Sequence, residues 1–146
     1  MSIFSSILML LIISSLQILY LQCMKKVSLY LMSLLYVLAG INHFYNPHFY
    51  EAIMPNYIGY HTALIYISGL CEIALGLLLL PKYTRKTAAN LIILMLVVFL
   101  WLHVQMFIDY WHNHDKYLWL ATVRIPLQFV LMYWAFTFTK PVNKGV

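Results

Sequence analysis

The sequence has little charge. Asp, Glu, Lys and Arg make up only 9% of its 146 residues, whereas soluble domains carry roughly 25%. Hydrophobic residues make up 64%, which is more apolar surface than a soluble domain of this size can bury. The composition therefore excludes a disordered chain and argues against a soluble globular domain. It predicts an integral membrane protein.

Motifs of catalysis, metal binding and nucleic-acid binding are also missing. The chain has no P-loop, dinucleotide-binding glycine fingerprint, nucleophile elbow or HExxH helix. Its two cysteines, Cys23 and Cys71, lie far apart, so we expect no structural disulfide. The net charge is +5. The basic residues flank apolar segments instead of forming one basic face, so we predict no nucleic-acid partner. The HNHD string at 112–115 is interpreted as a solvated loop, and no metal site is predicted.

What the chain does contain is four long apolar segments, at 27–44, 62–80, 87–108 and 117–139. Each is long enough to cross a hydrocarbon core of roughly 30 Å as a helix. A helix is expected because a backbone in lipid must satisfy its own hydrogen bonds. The short links favour antiparallel neighbours. The sequence thus predicts an all-α protein, an up-down four-helix bundle in the membrane.

The first 23 residues are apolar as well, but they have neither a basic leader nor a small-residue cleavage site. Three interpretations stay open. The stretch is an additional N-terminal hydrophobic helix, a product of a start site upstream of Met24, or the beginning of one long helix that continues into the first span. We favour the additional helix. The predicted division is then an extra segment at 1–23 and a four-helix domain at 24–146.

Basic residues predict the orientation. Seven of them lie on one side of the four-span arrangement: Lys25, Lys26, Lys82, Arg85, Lys86, Lys140 and Lys144. The loops on the opposite side contain only Lys116 and are rich in Tyr and Trp, as in an interfacial aromatic belt. By the positive-inside rule, both ends of the four-span unit, including the C-terminus, should be cytoplasmic.

Within the spans there is one acid, Glu72, and one permanent base, Arg124. A charge at the bilayer centre costs about 2.5–3.5 kcal/mol on insertion scales, so both should face the interior. Gln128 lies one turn beyond Arg124 on the same face. Gly69 and Gly76 flank Glu72 and permit close helix approach. Glu72 and Arg124 therefore either lock the bundle together or form part of a site.

Histidines at the same end extend this set. His43 ends the first span beside Asn42, and His103 lies at the matching end of the third. The candidate ligand-binding residues, which we expect to converge in the non-cytoplasmic half, are His43, Glu72, His103, Arg124 and Gln128, with Asn42, Gly69 and Gly76 in support. No catalytic residue is assigned. Neutral His can bind a quinone carbonyl or move a proton. A bis-His haem between His43 and His103 has no other support in the sequence.

The same residues carry a resemblance to a known family. The stretches are LAGINHF at 38–44 with Asn46-Pro47 and IMP at 53–55, ISG at 67–69 with Glu72, Gly76-Leu77, Pro81 and Arg85, and RIPLQ at 124–128 with Trp134. Together they resemble the DoxX-like family of small polytopic membrane proteins, over about 24–140. The resemblance implies a four-helix bundle in the plasma (inner) membrane. Relatives include subunits of quinone-linked oxidoreductases such as thiosulfate:quinone oxidoreductase, maturation factors of methylamine dehydrogenase, and eukaryotic membrane chaperones.

Two functions from different classes follow. The first is a multi-pass plasma-membrane subunit associated with a quinone-linked oxidoreductase. Arg124 and Gln128 would bind quinone oxygens, while Glu72 or His43 would move protons. Because no redox centre is visible in the sequence, electrons would come from a partner redox protein, and the chain would be at most an accessory subunit. The alternative is a non-catalytic scaffold or assembly factor for a partner membrane protein. A transporter is less favoured, because the sequence has no inverted repeat.

Overall fold

The computed structural model describes residues 3–52, 54, 59–114 and 116–140, with side chains described from residue 13 onwards except for Ala52. Every regular element in these ranges is a helix: α1 (Ile3–Tyr45), α2 (Pro47–Ala52), α3 (His61–Leu78), α4 (Arg85–His112) and α5 (Leu118–Phe136). The predicted all-α class is confirmed for this part of the chain. Some residues used in the sequence predictions lie outside the described ranges, namely Ile53, Pro55, Asp115 and Lys144.

Four of the helices contain stretches long and apolar enough to cross a membrane: Ile13–Tyr45, His61–Leu78, Arg85–His112 and Leu118–Phe136. Each overlaps one of the four apolar segments of the sequence, and the first extends further toward the N-terminus, to Ile13. Large apolar side chains on their outer faces are exposed, for example Leu70, Leu94 and Val130. A soluble protein rarely exposes contiguous apolar surface on this scale, whereas a membrane protein presents it to lipid.

Helix α1 is longer than one membrane crossing needs. Its 43 residues span about 65 Å at 1.5 Å per residue, roughly twice the thickness of a hydrocarbon core. It continues without a break through Lys25 and Lys26, so the structure corresponds to the long-helix interpretation. The favoured separate helix at the N-terminus is not observed, because no turn interrupts the helical backbone there. The division of the domains at residue 23 stays a prediction.

Helices α1 and α3 pack closely through glycines. Gly40 faces the backbone of Gly69, and Gly76 lies against the backbone of Ser33. Residue numbers rise on one helix as they fall on the other, so the two helices are antiparallel. The Ser33 hydroxyl donates a 2.7 Å hydrogen bond to the Gly76 carbonyl. Small residues let two helix backbones approach, and here they leave no room for a side chain between them.

One end of the molecule has a continuous apolar core that joins the four long helices. Its buried members are Leu29, Met32, Tyr36, Leu79, Ala88, Ala89, Ile92, Leu96 and Ala135. At this end the Trp134 indole N–H donates a 2.7 Å hydrogen bond to Ser28 Oγ, which ties α5 to α1. The Arg85 guanidinium donates to the carbonyls of Leu79 and Leu80. These carbonyls have no helical partner at the end of α3, so Arg85 closes the turn into α4.

The other end is covered by α2, which lies in a segment interpreted from the sequence as a connection. Pro47 occupies its first position, where the missing N–H costs nothing. The Phe49 N–H donates to the Asn46 carbonyl. Thr62, at the start of α3, donates a 2.6 Å hydrogen bond to Glu51 Oε1. This bond fastens α2 to α3 above the end of the bundle where His43 lies.

Candidate functional site

A cavity of about 260 Å³ is lined by residues of all five helices. All five residues of the predicted site line it: His43 from α1, Glu72 from α3, His103 from α4, and Arg124 and Gln128 from α5. The cavity is slightly smaller than the roughly 300 Å³ at which pockets for drug-sized ligands begin. It therefore suits a small headgroup better than a whole porphyrin.

His43 is held in one orientation from two sides. Its Nδ1 lies 2.9 Å from the Ala39 carbonyl, and because a carbonyl only accepts, Nδ1 carries the proton. The Tyr50 ring stacks on the imidazole with a centroid distance of 3.9 Å. Asn42 Nδ2 donates a 2.8 Å hydrogen bond to the Tyr50 hydroxyl. Asn42, expected only as a supporting residue, thus positions His43 through Tyr50.

Three buried polar atoms in the described part of the chain have no hydrogen-bond partner: Glu72 Oε2, Tyr36 Oη and His103 Nδ1. All three residues line the cavity. Glu72 Oε2 lies 3.6 Å from His43 Nδ1, whose proton is already directed to Ala39. Leaving such an atom unsatisfied costs about 1–3 kcal/mol, so native proteins usually pair it with another group, a ligand or water. These atoms mark where the polar atoms of a ligand would bind.

Glu72 and Arg124 share the cavity but do not form the ion pair that the sequence suggested as a lock. Among the described residues, the basic side chain within ion-pairing distance of the Glu72 carboxyl is His43, with Nδ1 3.6 Å from Oε2. Arg124 instead lies beside Met106 Sδ at 3.9 Å and over the Phe49 ring at 5.8 Å. The guanidinium thus lies beside the Phe49 ring of α2, and Arg124 also lines the cavity.

Gln128 is almost fully buried, with 4% of its surface exposed. Its Nε2 donates a 2.7 Å hydrogen bond to the backbone carbonyl of Leu96. This bond fixes the orientation of the amide, because the oxygen cannot face a carbonyl. The amide oxygen is then the atom that Gln128 has left to accept a hydrogen bond from a ligand. The bond also joins α5 to α4 at the side of the cavity.

Sequence reasoning missed Tyr36 and Tyr50. Tyr36 lies seven residues before His43, so helical periodicity places both on one face of α1 and could have found it. From the sequence, Tyr50 is one of the loop tyrosines that form the interfacial aromatic belt. Its contact with His43 depends on α2, and a six-residue helix gives no periodic signal of its own.

The contact of α2 with α3 depends on the ionisation of Glu51. The hydroxyl of Thr62, donating to Glu51 Oε1, lowers the pKa of the Glu51 carboxyl below its usual value. The His48 ring, 3.3 Å from Glu51 Oε2, acts on this pKa in the same direction. Glu51 is therefore ionised at neutral pH, which favours the fastened position of α2.

The comparisons with known proteins give a family without an assigned activity. The family model described as "Domain of unknown function (DUF8561)" matches residues 32–139. This range includes every candidate residue of the cavity. Neither a curated protein nor a solved structure matches the chain.

Proposed function

We propose that this chain, which belongs to the DUF8561 family, is a multi-pass membrane protein that binds a quinone headgroup inside its helix bundle. In this proposal α1, α3, α4 and α5 cross the plasma membrane in alternating directions. The cluster of basic residues at the end near Lys25 and Lys82 supports a cytoplasmic position for that end and for the C-terminus. The cavity then lies toward the non-cytoplasmic side.

The observation that supports a quinone is that three buried polar atoms without hydrogen-bond partners and the Arg124 side chain lie around one cavity. A para-quinone has two carbonyl oxygens at opposite ends of a flat apolar ring, and both oxygens accept hydrogen bonds. Arg124 and His103 offer a cation and an imidazole from α5 and α4. Tyr36 offers a phenol O–H from α1, and Glu72, in its protonated form, offers a carboxyl O–H from α3. A ring between the two helix pairs would satisfy groups on both sides.

The proposed chemistry is reduction of the quinone to the hydroquinone or the reverse reaction. Reduction takes up two electrons and two protons. Glu72 and His43, 3.6 Å apart, are the groups we assign to proton transfer at one carbonyl. A partner redox protein supplies or removes the electrons. The chain is thus an accessory subunit of a quinone-linked oxidoreductase, as the DoxX-like resemblance predicts. The membership in that family stays a prediction.

The scaffold alternative has less structural support. In that interpretation an ion pair between Glu72 and Arg124 holds the helices together, yet Arg124 contacts Met106 and Phe49 instead of the carboxyl. A helix lock also needs no cavity and no buried atoms without partners. A scaffold for a partner membrane protein is the function that a failed binding experiment would favour.

Quinone titration of the purified protein in lipid nanodiscs tests the proposal. We expect Glu72→Gln and Arg124→Ala each to weaken binding about tenfold or more, the equivalent of 1.4 kcal/mol. Asp109→Asn is the matched control, because it neutralises an exposed carboxyl outside the cavity. Size-exclusion profiles would show that the variants stay folded. Unchanged binding in both cavity variants, or no binding by the unmodified protein, would refute the proposed site.

A further inference from the structure

The cavity lies beside a seam between α1 and α5. Helix α1 packs mainly on α3 and helix α4 mainly on α5, while α1 and α5 approach each other at few points in the described ranges. At one end the seam is closed by the hydrogen bond between Trp134 and Ser28. At the other end it is closed by α2, whose Phe49 ring covers Arg124.

Between these closures the cavity reaches the outer surface. Of the described residues that line it, Leu35 is the one that is also exposed, at 39%. Leu35 lies two helical turns from Ser28 along α1. Leu131, which also lines the cavity, lies about one turn from Trp134 along α5. We call the opening bounded by Leu35 and Leu131 the α1–α5 window.

The window lies at the depth of the bilayer centre. Leu35 is nine residues after Lys26 and ten residues before Tyr45, so it is about 13–15 Å along the helix from each. That is half of a hydrocarbon core of roughly 30 Å. The opening therefore faces acyl chains and neither aqueous surface.

The route from the adjacent aqueous surface is covered. Tyr50 stacks on His43 and receives a hydrogen bond from Asn42. Thr62 holds Glu51, and with it α2, against the start of α3. A ligand arriving from water would have to displace these contacts, whereas a ligand dissolved in the bilayer meets an open side.

We propose that the ligand of this cavity carries a long apolar chain, as isoprenoid quinones do, and that it enters from the bilayer core with its chain leaving through the α1–α5 window. This inference rests on the proposed function and specifies the ligand class. The headgroup occupies the polar cavity, while the chain passes Leu35 and Leu131 and remains in lipid. Recognition of the chain is then a property of the α1–α5 seam alone.

The experiment compares two probes in nanodiscs, a tail-less substituted benzoquinone and the same headgroup with a decyl tail. Leu35→Trp fills the window. Leu38→Trp is the matched control, because Leu38 is exposed on the same helix and does not line the cavity. We expect Leu35→Trp to weaken binding of the decyl probe about tenfold and of the tail-less probe less than about twofold. Leu38→Trp should bind both probes as the unmodified protein does.

A measurement on the unmodified protein makes the test independent of how the Trp variant folds. The decyl probe would carry a photoreactive diazirine on the third carbon of its chain. Crosslinks should map to α1 and α5 around the window, and not to the outer face of α3 around Leu70.

The quinone site and the α1–α5 window are tested by different outcomes of these experiments. If the unmodified protein binds both probes, but Leu35→Trp weakens them equally or not at all and the crosslinks fall outside the seam, the window is refuted and the quinone site stands. If the unmodified protein binds neither probe, the proposed function is refuted, and the window inference is refuted with it.

Discussion

Replacement of Gly40 by alanine should destabilise the protein through the α1–α3 interface. A Cβ at this position would lie 2.5 Å from the Gly69 carbonyl oxygen and 2.7 Å from Ile73 Cγ1. Ordinary contacts begin at 3.4 Å, so the helices would have to separate locally by about 0.9 Å, the difference between 3.4 and 2.5. A backbone carbonyl cannot rotate away as a flexible side chain can.

Three contributions set the magnitude, two of them destabilising and one stabilising. Inserting one methyl group into a close-packed interface costs about 1–3 kcal/mol. Weakening the nearby hydrogen bond from Ser33 to Gly76 adds up to about 1 kcal/mol. Replacing glycine by alanine within a helix returns about 1 kcal/mol. Because the obstacle is backbone, the upper part of the steric range applies, and a net loss of about 2–3 kcal/mol remains.

Unfolding in mixed micelles, followed by circular dichroism or tryptophan fluorescence, measures this loss. The other glycines supply a graded series. The nearest atom to an added Cβ lies at 2.7 Å for Gly69 and at 3.0 Å for Gly76, and nothing lies within 4 Å for Gly59. We expect the destabilisation to decrease in that order, with Gly59→Ala close to neutral. If Gly40→Ala is as stable as the unmodified protein, the close packing of α1 on α3 is refuted.

Two further perturbations probe the two ends of the bundle. Trp134→Phe should cost about 1 kcal/mol of unfolding free energy, because it removes the hydrogen bond to Ser28; the exposed neighbour Tyr133→Phe is the control, and equal stability of the two variants would contradict the tie. Because the pKa of Glu51 in the folded protein lies below its ordinary value of 4.5, its contribution to fastening α2 is complete above pH 4.5 and is lost as the pH falls through the lowered pKa. Hydrogen exchange of the backbone amides of residues 48–52, corrected for the intrinsic rate, should rise on acidification, and Thr62→Val should raise it already at neutral pH. Identical exchange in Thr62→Val and the unmodified protein would contradict this fastening.

Periodicity and depth explain why the residues of the candidate site could be chosen from the sequence. Glu72 and Arg124 stand out because ionisable residues are rare in apolar spans. Antiparallel neighbours of similar length bring equal depths together, so His43 and His103 could be assigned to the same end of the bundle. The rotation of each helix about its own axis could not be predicted from the sequence in the same way. The spans are apolar nearly all round, and such helices have no polar face that fixes which side points inward.

The partners of these residues could not be predicted. The sequence allowed an ion pair between Glu72 and Arg124, but a long Arg side chain has several directions open to it at the same depth. Its contact with Phe49 depends on α2. In the same way, Asn42 acts on His43 through Tyr50, a residue eight positions away. Such contacts follow from how a connecting segment folds back, and connecting segments show little hydrophobic periodicity.

The sequence by itself determined that the chain is helical, where its four apolar segments lie, and which few polar residues occupy them. Composition and segment length suffice for this, because the bilayer thickness and the need for internal hydrogen bonds leave little choice. Only the tertiary structure decided that these residues line one cavity, that α1 runs on as a single helix, and that the cavity opens beside Leu35. Those features depend on interhelical distances, which arise from side-chain packing between segments far apart in the chain.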